Sequence, residues 1–355
     1  MIKSIYFHIP FCRNICTYCD FCKMYYDEEL IDKYLNELEK EFSSKYKNEV
    51  IDTIYIGGGT PSCLNKKQLL KLFSIINKIE LNKKYEFTFE CNIEDINDDL
   101  LKILKTSRVN RLSIGVQSFN KQLLNILGRD YDFNIYDKIN LCKKYFDNIS
   151  VDFIYGVNGQ SIDDLHSDLN SFIKLDINHI SIYSLILEDD TILKINNYDE
   201  IDSDLCRDMY DYICTFLKDK GYNHYEISNF ERNDTPSLHN LTYWNNEQYY
   251  GFGLGASGYV NGFRYSNTRG ITKYLEGKHV LINEKVSLKT DMENFMILGL
   301  RKIKGVSNKE FKNRYGKDIT DVFDTKNLCF SNDYYYISED KLYISNYILK
   351  DFIDI

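Results

Sequence analysis

The residues best suited to chemistry stand near the start of the chain, where Cys12, Cys16 and Cys19 form a C-x3-C-x2-C segment within His8-Ile-Pro-Phe-Cys-Arg-Asn-Ile-Cys-Thr-Tyr-Cys19. Three thiolates on one loop can hold three irons of a cubane iron–sulfur cluster and leave the fourth iron without a protein ligand. That opening suits S-adenosylmethionine, whose amino and carboxylate groups can chelate the free iron and bring the sulfonium within reach of a cluster electron. A structural zinc site is the alternative, with Cys22 supplying a fourth thiolate. Zinc sites more often join two separated pairs of ligands, and a closed tetrahedron gives no reason for the glycine motif downstream.

That motif is Gly57-Gly-Gly-Thr-Pro61, directly after the apolar run Ile54-Tyr-Ile56. Glycines let the backbone approach a ligand closely and offer it N–H and C=O groups, which suits the polar methionine end of the nucleotide. Further polar residues fall in or at the ends of expected strands: Glu90, Gln117 in Gly115-Val-Gln-Ser118, and Asp152. A carboxylate or amide there can bind ribose hydroxyls or an ammonium, or serve only as a helix cap. Arg129, in Leu127-Gly-Arg129, can pair with a carboxylate. The chain has three prolines, and Pro10, Pro61 and Pro236 each sit beside one of the motifs, where a fixed φ holds a loop.

The elements that must position these residues follow from hydrophobic periodicity. Short β-rich runs are expected at Ser4 to His8, Thr53 to Ile56, Glu86 to Glu90, Arg111 to Gly115, Ser150 to Tyr155 and His179 to Leu185. They alternate with amphipathic helical patterns such as Glu28 to Phe42, Lys67 to Ile76 and Asp98 to Leu104. Six such units predict an α/β fold, an incomplete TIM-like (β/α)6 barrel with chemistry at the C-terminal ends of its strands. A helix from Ser203 to Lys220 precedes an aromatic, glycine-rich region, Tyr222 to Asn267, that fits neither period. Helices at Asp291 to Lys302 and Asn308 to Tyr315, with a hairpin from Tyr334 to Ile344 turning at Glu339-Asp340, predict a small helical domain with a β wing. The expected division is 1–267 for the barrel with its aromatic extension and 268–355 for the small domain.

Composition narrows the function classes. With 43% hydrophobic and 27% charged residues the chain can bury a full core. A formal net charge of -9 opposes a nucleic-acid partner, and no apolar run approaches a membrane span. The run from Met1 to Tyr6 lacks a signal-peptide layout, and ten cysteines without an export signal read as reduced thiols in a cytoplasmic protein.

Taken together, His8-Ile-Pro-Phe-Cys12, Gly57-Gly-Gly-Thr-Pro61, Ser113-Ile-Gly-Val-Gln-Ser-Phe119, Asp152-Phe-Ile-Tyr-Gly156, Tyr225-Glu-Ile-Ser-Asn-Phe230 and His239-Asn-Leu-Thr-Tyr-Trp244 resemble the oxygen-independent coproporphyrinogen III oxidase family of radical S-adenosylmethionine proteins. Within it the chain is most similar to the heme chaperone branch. The first strand starts almost at Met1, without the long N-terminal arm of the oxidase branch. Phe21 occupies that branch's fourth-cysteine position, Cys19-Asp-Phe21 matches the chaperone pattern, and His239-Asn-Leu-Thr-Tyr243 matches its HNxxY signature. The resemblance implies a [4Fe-4S] cluster on Cys12, Cys16 and Cys19. It implies S-adenosylmethionine contacts from Tyr6, Tyr18, Gly58, Gly59, Thr60, Glu90, Gln117, Arg129, Asp152 and Ile186, and heme at His239. Its partners would be heme, a heme-acceptor protein and, if the nucleotide is cleaved, an electron donor such as flavodoxin or ferredoxin. The competing reading is a radical enzyme acting on coproporphyrinogen III or another tetrapyrrole. Departures from the family pattern are Gly156-Val-Asn-Gly159, Gly128-Arg-Asp-Tyr131 and Gly255-Ala-Ser257, the last two lacking histidines, together with Cys22.

Overall fold

A computed structural model describes residues 2–353; Met1, Asp354 and Ile355 lie outside the described residues. Its main sheet begins with six parallel strands, β1 (Ser4–Ile9), β2 (Ile51–Gly58), β3 (Leu81–Asn92), β4 (Arg111–Gln117), β5 (Asn148–Tyr155) and β6 (His179–Ser184). Between them run α1 (Glu28–Lys45), α2 (Lys66–Ile76), α3 (Asp98–Thr106), α4 (Lys121–Ile126), α5 (Ile135–Lys143) and α6 (Ile162–Leu175). Each of these helices starts at a side chain that accepts from a first-turn N–H: Asp27, Asn65, Asn97, Asn120, Asn134 and Ser161 in turn. Such caps satisfy donors the helix itself cannot, and fix where each begins.

The strands alternate strictly. Ile5, Phe7 and Ile9 of β1, Ile54 and Ile56 of β2, Phe87 and Phe89 of β3, and Leu112 and Ile114 of β4 are buried against the helices. The intervening residues are polar: Ser4, Tyr6 and His8, then Thr53 and Tyr55, Glu86, Thr88 and Glu90, Arg111 and Ser113, Ser150 and Asp152, His179 and Ser181. Because successive side chains point to opposite faces, this second set lines the lumen. The barrel therefore has an apolar wall and a polar interior.

The region that fits neither period resolves into short pieces that continue the sheet and close its floor. After the helix α7 (Ser203–Asp219), β7 (Asn223–Glu226) and β8 (Asn229–Glu231) extend the sheet antiparallel beyond β6. Next, α8 (Leu238–Trp244) crosses the N-terminal end of the barrel, where the Glu86 carboxylate accepts from the backbone N–H groups of Leu238 and His239 at 2.9 and 3.0 Å. A further strand, β9 (Tyr249–Phe252), pairs parallel with β1, and β10 (Ser257–Val260), β11 (Phe263–Asn267) and β12 (Val280–Lys285) follow antiparallel. The strand order is β12-β11-β10-β9-β1-β2-β3-β4-β5-β6-β8-β7. The expected division between residues 267 and 268 falls inside this sheet, since β12 pairs with β11.

Beyond it lie α9 (Leu288–Gly299), α10 (Asn308–Tyr315) and a three-stranded sheet of Val306–Ser307, Cys329–Ser331 and Tyr334–Tyr336. The β wing is present, but its hairpin turns at Asn332 and Asp333, with φ of 49° and 75°. Asn and Asp tolerate that left-handed conformation, which a two-residue hairpin turn demands. Glu339–Lys341, the expected turn, is instead a short 3-10 helix.

Phe7 ties the outer wall together, with ring centroids 5.9 Å from Phe42 of α1 and 5.4 Å from Phe252 of β9. Phe7→Ala should lower unfolding stability by about 3–5 kcal/mol, measured by urea denaturation; a loss under 1 kcal/mol would contradict this packing.

Candidate functional site

The cysteine loop leaves the C-terminal end of β1 and is tied down along its length. Met24 N–H donates to the Pro10 carbonyl at 2.7 Å and Tyr26 N–H to the Cys12 carbonyl at 2.9 Å, so the returning chain clamps the first cysteine. In the middle of the loop, the Thr17 hydroxyl donates to the Ile126 carbonyl at 2.7 Å, and the Leu193 N–H donates to the Thr17 carbonyl at 3.0 Å. Arg269 donates to the Asp20 carbonyl at 2.9 Å, tying its end to the segment after β11. Cys12 lies against the glycine motif: the Thr60 hydroxyl donates to its Sγ at 3.3 Å, and a Cβ on Gly59 would stand 2.9 Å from that sulfur. Gly58 has a φ of +124°, a conformation that favours glycine, and its N–H donates to Glu90 Oε2 at 3.1 Å.

Cys12, Cys16 and Cys19 line a cavity of about 130 Å³ together with Tyr18, Gly58, Gly59, Thr60, Glu90, Gln117, Arg129 and Asp152. Below it, a cavity of about 420 Å³ shares Tyr18, Cys19, Glu90, Gln117 and Asp152 and runs down the lumen to Arg111 and Asn240. Ile186 stands at the mouth of this second cavity with Phe21 and Tyr183, and the three are 64%, 65% and 43% exposed. Tyr6 lines neither cavity, although it belongs to the inward set, and hydrogen-bonds through its hydroxyl to His8 Nδ1 at 3.0 Å.

His239 is also apart from both cavities. It is 1% exposed on α8, its Nδ1 pairs with the Thr53 hydroxyl at 2.8 Å and its Nε2 with the Tyr243 hydroxyl at 2.8 Å. Burial and the Arg111 charge push its pKa down to about 3, so the ring is neutral. As placed, neither nitrogen is free to ligate heme iron; the i, i+4 pair of the His239-Asn-Leu-Thr-Tyr243 motif knits the barrel floor. Cys22 does not line the thiol cavity either. Its Sγ lies beside Gly255 and its carbonyl pairs with His8 Nε2 at 2.7 Å. Among the described residues no three His, Cys, Asp or Glu converge as ligands of a single ion.

The donors fit a cluster and a zwitterionic nucleotide. Burial pushes the Cys12 thiol up to about 11 and raises that of Cys19, so their protons would leave when iron binds. The Arg129 guanidinium donates only to neutral oxygens, Asn92 Oδ1 and the Tyr131 hydroxyl at 3.2 Å and the Tyr18 hydroxyl at 3.4 Å. Its Nε has no partner, which leaves the charge available to an anionic ligand group. Tyr131, standing where the family pattern has histidine, thus orients Arg129. Gln117, with a φ of 70°, follows a register shift between β4 and β5 that brings its amide over Gly115, where a Cβ would stand 2.8 Å from Nε2. Sequence reading missed Tyr55, Arg111, Ser113, Ser181 and Asn240; all but the last carry a signal in the period-2 polar alternation of the strands.

A thiol triad over the C-terminal mouth of a polar barrel, cradled by glycines, defines a radical S-adenosylmethionine protein. In agreement, the model of the radical SAM superfamily matches residues 6–172, and that of the HemN C-terminal domain matches residues 286–329. The heme chaperone HemW of Lactococcus lactis subsp. lactis (strain IL1403) is 41% identical, with 99% of this chain and 97% of the relative covered. That of Bacillus subtilis (strain 168) is 39% identical over 91% and 89%. The chain belongs to the HemW family. Its fold is that of coproporphyrinogen III oxidase (HemN) from Escherichia coli, with a TM-score of 0.87 and 20% identity over 99% of this chain and 90% of that one.

Glu90 and Asp152 give the lumen a titration signature. Glu90 accepts from the Tyr55 hydroxyl at 2.7 Å and Asp152 from the Ser113 hydroxyl at 3.3 Å, yet burial pushes their carboxyls up to about 7 and about 6. Both groups hold protons in the folded state that the unfolded chain has already released. Their contribution to stability is full below about pH 4 and is lost as pH rises through 6 to 7. Urea unfolding of the cluster-free protein should show a smaller decline between pH 5 and pH 7.5 in Glu90→Gln than in the parent chain; equal slopes would refute the assignment.

Proposed function

We propose that the chain is a cytoplasmic heme chaperone that holds heme as cargo and passes it to an acceptor protein, under the control of a [4Fe-4S] cluster and S-adenosylmethionine. The observation that carries this reading is near full-length likeness to the curated heme chaperones at 41% and 39% identity. Phe21 supports it, because an aromatic ring at the exposed mouth stands where the oxidase branch has another cysteine. The likeness to the oxidase is one of fold. Among the described residues no helix is long and apolar enough to cross a membrane.

Cys12, Cys16 and Cys19 would hold the cluster, which supplies an electron to the bound sulfonium when that chemistry is used. The chain's own contribution is binding and orientation. Arg129 takes the carboxylate of the nucleotide, the backbone after Gly57 takes its amino end, and Glu90, Gln117 and Asp152 offer acceptors and an amide donor to ammonium or ribose. Protonation of Glu90 near neutrality turns it from acceptor to donor, so the polarity of the lumen follows pH. The apolar surface available to a macrocycle is at the mouth, where Phe21, Tyr183 and Ile186 are exposed.

Anaerobically reconstituted protein should contain iron and acid-labile sulfide in equal amounts with little zinc. Incubated with coproporphyrinogen III, S-adenosylmethionine and a reductant, it should yield no protoporphyrinogen; turnover would replace the chaperone reading with the enzymatic one. Heme added to the same sample should give a saturable change in visible absorption.

His239→Ala provides a separate check. Leaving the Tyr243 hydroxyl unpaired and the Thr53 hydroxyl with only Ser4 as its partner, around a void, should lower stability by about 2–4 kcal/mol, with heme affinity and spectrum unchanged. A lost or shifted heme spectrum in a folded variant would return His239 to the heme site.

A further inference from the structure

Arg111, at the start of β4, is the largest fully buried side chain and is 2% exposed. Its one hydrogen bond runs from Nη1 to the Thr88 hydroxyl at 3.5 Å, the limit of such a contact, and its Nε has no partner. Other arginines also carry an unpaired Nε, but Arg108, Arg129, Arg232 and Arg264 each make at least one bond at 3.3 Å or shorter. Among the described residues no carboxylate lies within 4.0 Å of Arg111. A buried guanidinium is stable only where something answers its charge.

Among the described residues nothing else on the floor pairs with it: the Glu86 carboxylate is spent on the Leu238 and His239 N–H groups, and Glu90 and Asp152 feel the Arg111 charge only from beyond 4.0 Å. His179 is engaged on both nitrogens, by the Ser150 hydroxyl at 2.7 Å and the Tyr225 hydroxyl at 2.8 Å, and His239 is engaged as described. Both rings are held neutral, by burial first and by the Arg111 charge second. Arg111 instead lines the lower part of the 420 Å³ cavity, with Asn240 from α8 beneath and Ser113 and Ser181 on the neighbouring walls. Glu90 and Asp152 border the same cavity. Above neutral pH, where both are ionised, their negative charge higher in the lumen opposes a dianionic group such as phosphate more than a singly charged one. A carboxylate carries one charge, and its planar fork matches the guanidinium.

We infer that the barrel floor is a second ligand site, in which Arg111 and Asn240 bind the carboxylate of a short aliphatic acid. The acid is either a free molecule or an arm of a larger ligand standing at the mouth. The site is distinct from the Arg129 region and does not depend on the chaperone reading.

Propionate is the probe, titrated calorimetrically into anaerobically reconstituted protein, with propionamide as the uncharged isostere. Saturable binding of propionate is expected, with propionamide and Arg111→Gln each weakening it at least tenfold. Absence of binding, or equal binding to the variant, would overturn the site. Should Arg111→Gln fail to fold, Asn240→Ala must weaken propionate severalfold, and an unchanged affinity in that variant would be equally fatal. Heme then separates the two sources. Displacement of propionate by heme, but not by its dimethyl ester, supports the site with an arm of the tetrapyrrole as occupant; undisturbed propionate supports it with a free acid as occupant. Heme failing to bind at all would count against the chaperone reading and leave the propionate result standing.

Discussion

The pleat of six parallel strands imposes the condition on which the rest of this molecule is built. Every inward position is followed by an outward one, so a strand that buries Ile, Phe and Leu against a helix must present something else to the lumen. Here it presents hydroxyls, carboxylates, imidazoles and one guanidinium. A polar interior shut away from bulk water is tolerable only if its groups are paired. Two chains of hydrogen bonds meet much of that demand, one linking Ser4, Thr53, His239 and Tyr243 and the other linking Ser150, His179 and Tyr225. The helix across the floor exists within the same logic, its first turn capped by a carboxylate from inside the barrel.

At the opposite end the lumen is closed by the cysteine loop rather than by a helix. A loop is a poor platform for a rigid site unless its neighbours immobilise it. The ties described above come from a returning strand, the C-terminal end of α4, the segment after β6 and the segment after β11, four parts of the chain far apart in sequence. The thiols are therefore positioned by the completed barrel and not by local propensity. The aromatic extension contributes to the same platform, since β9 covers the β1 edge from which the loop departs.

Much of this could be read from the residues. The six strands and the helices between them were legible because parallel strands with one buried face and long amphipathic helices carry strong periodic signals. The thiols, the glycine motif and the polar strand ends come together as their spacing implies. Legibility failed where short-range signals compete. The strand pattern points to a hairpin turn at Glu339-Asp340, although Asn332-Asp333 carries the residue types that accept positive φ. His239 is a histidine among aromatics, a composition equally suited to an iron ligand and to a core pair, and only the position of α8 reveals that both its nitrogens have protein partners. The inward polar residues were visible one by one, but their meaning as a lumen required the register that aligns Tyr55, Thr88 and Arg111 across three strands.

Gln117 shows what such a barrel demands of a single position. Its left-handed backbone would be relieved by glycine at no steric penalty, and holding a side-chain-bearing residue there costs about 1–2 kcal/mol. Glycine would, however, delete the amide that the kink delivers over the lumen. Natural variation at this site is thus pulled in two directions, toward ease of folding and toward a donor for the ligand. A lineage that stopped needing the ligand should be recognisable by drift to glycine or asparagine there, with the architecture otherwise intact.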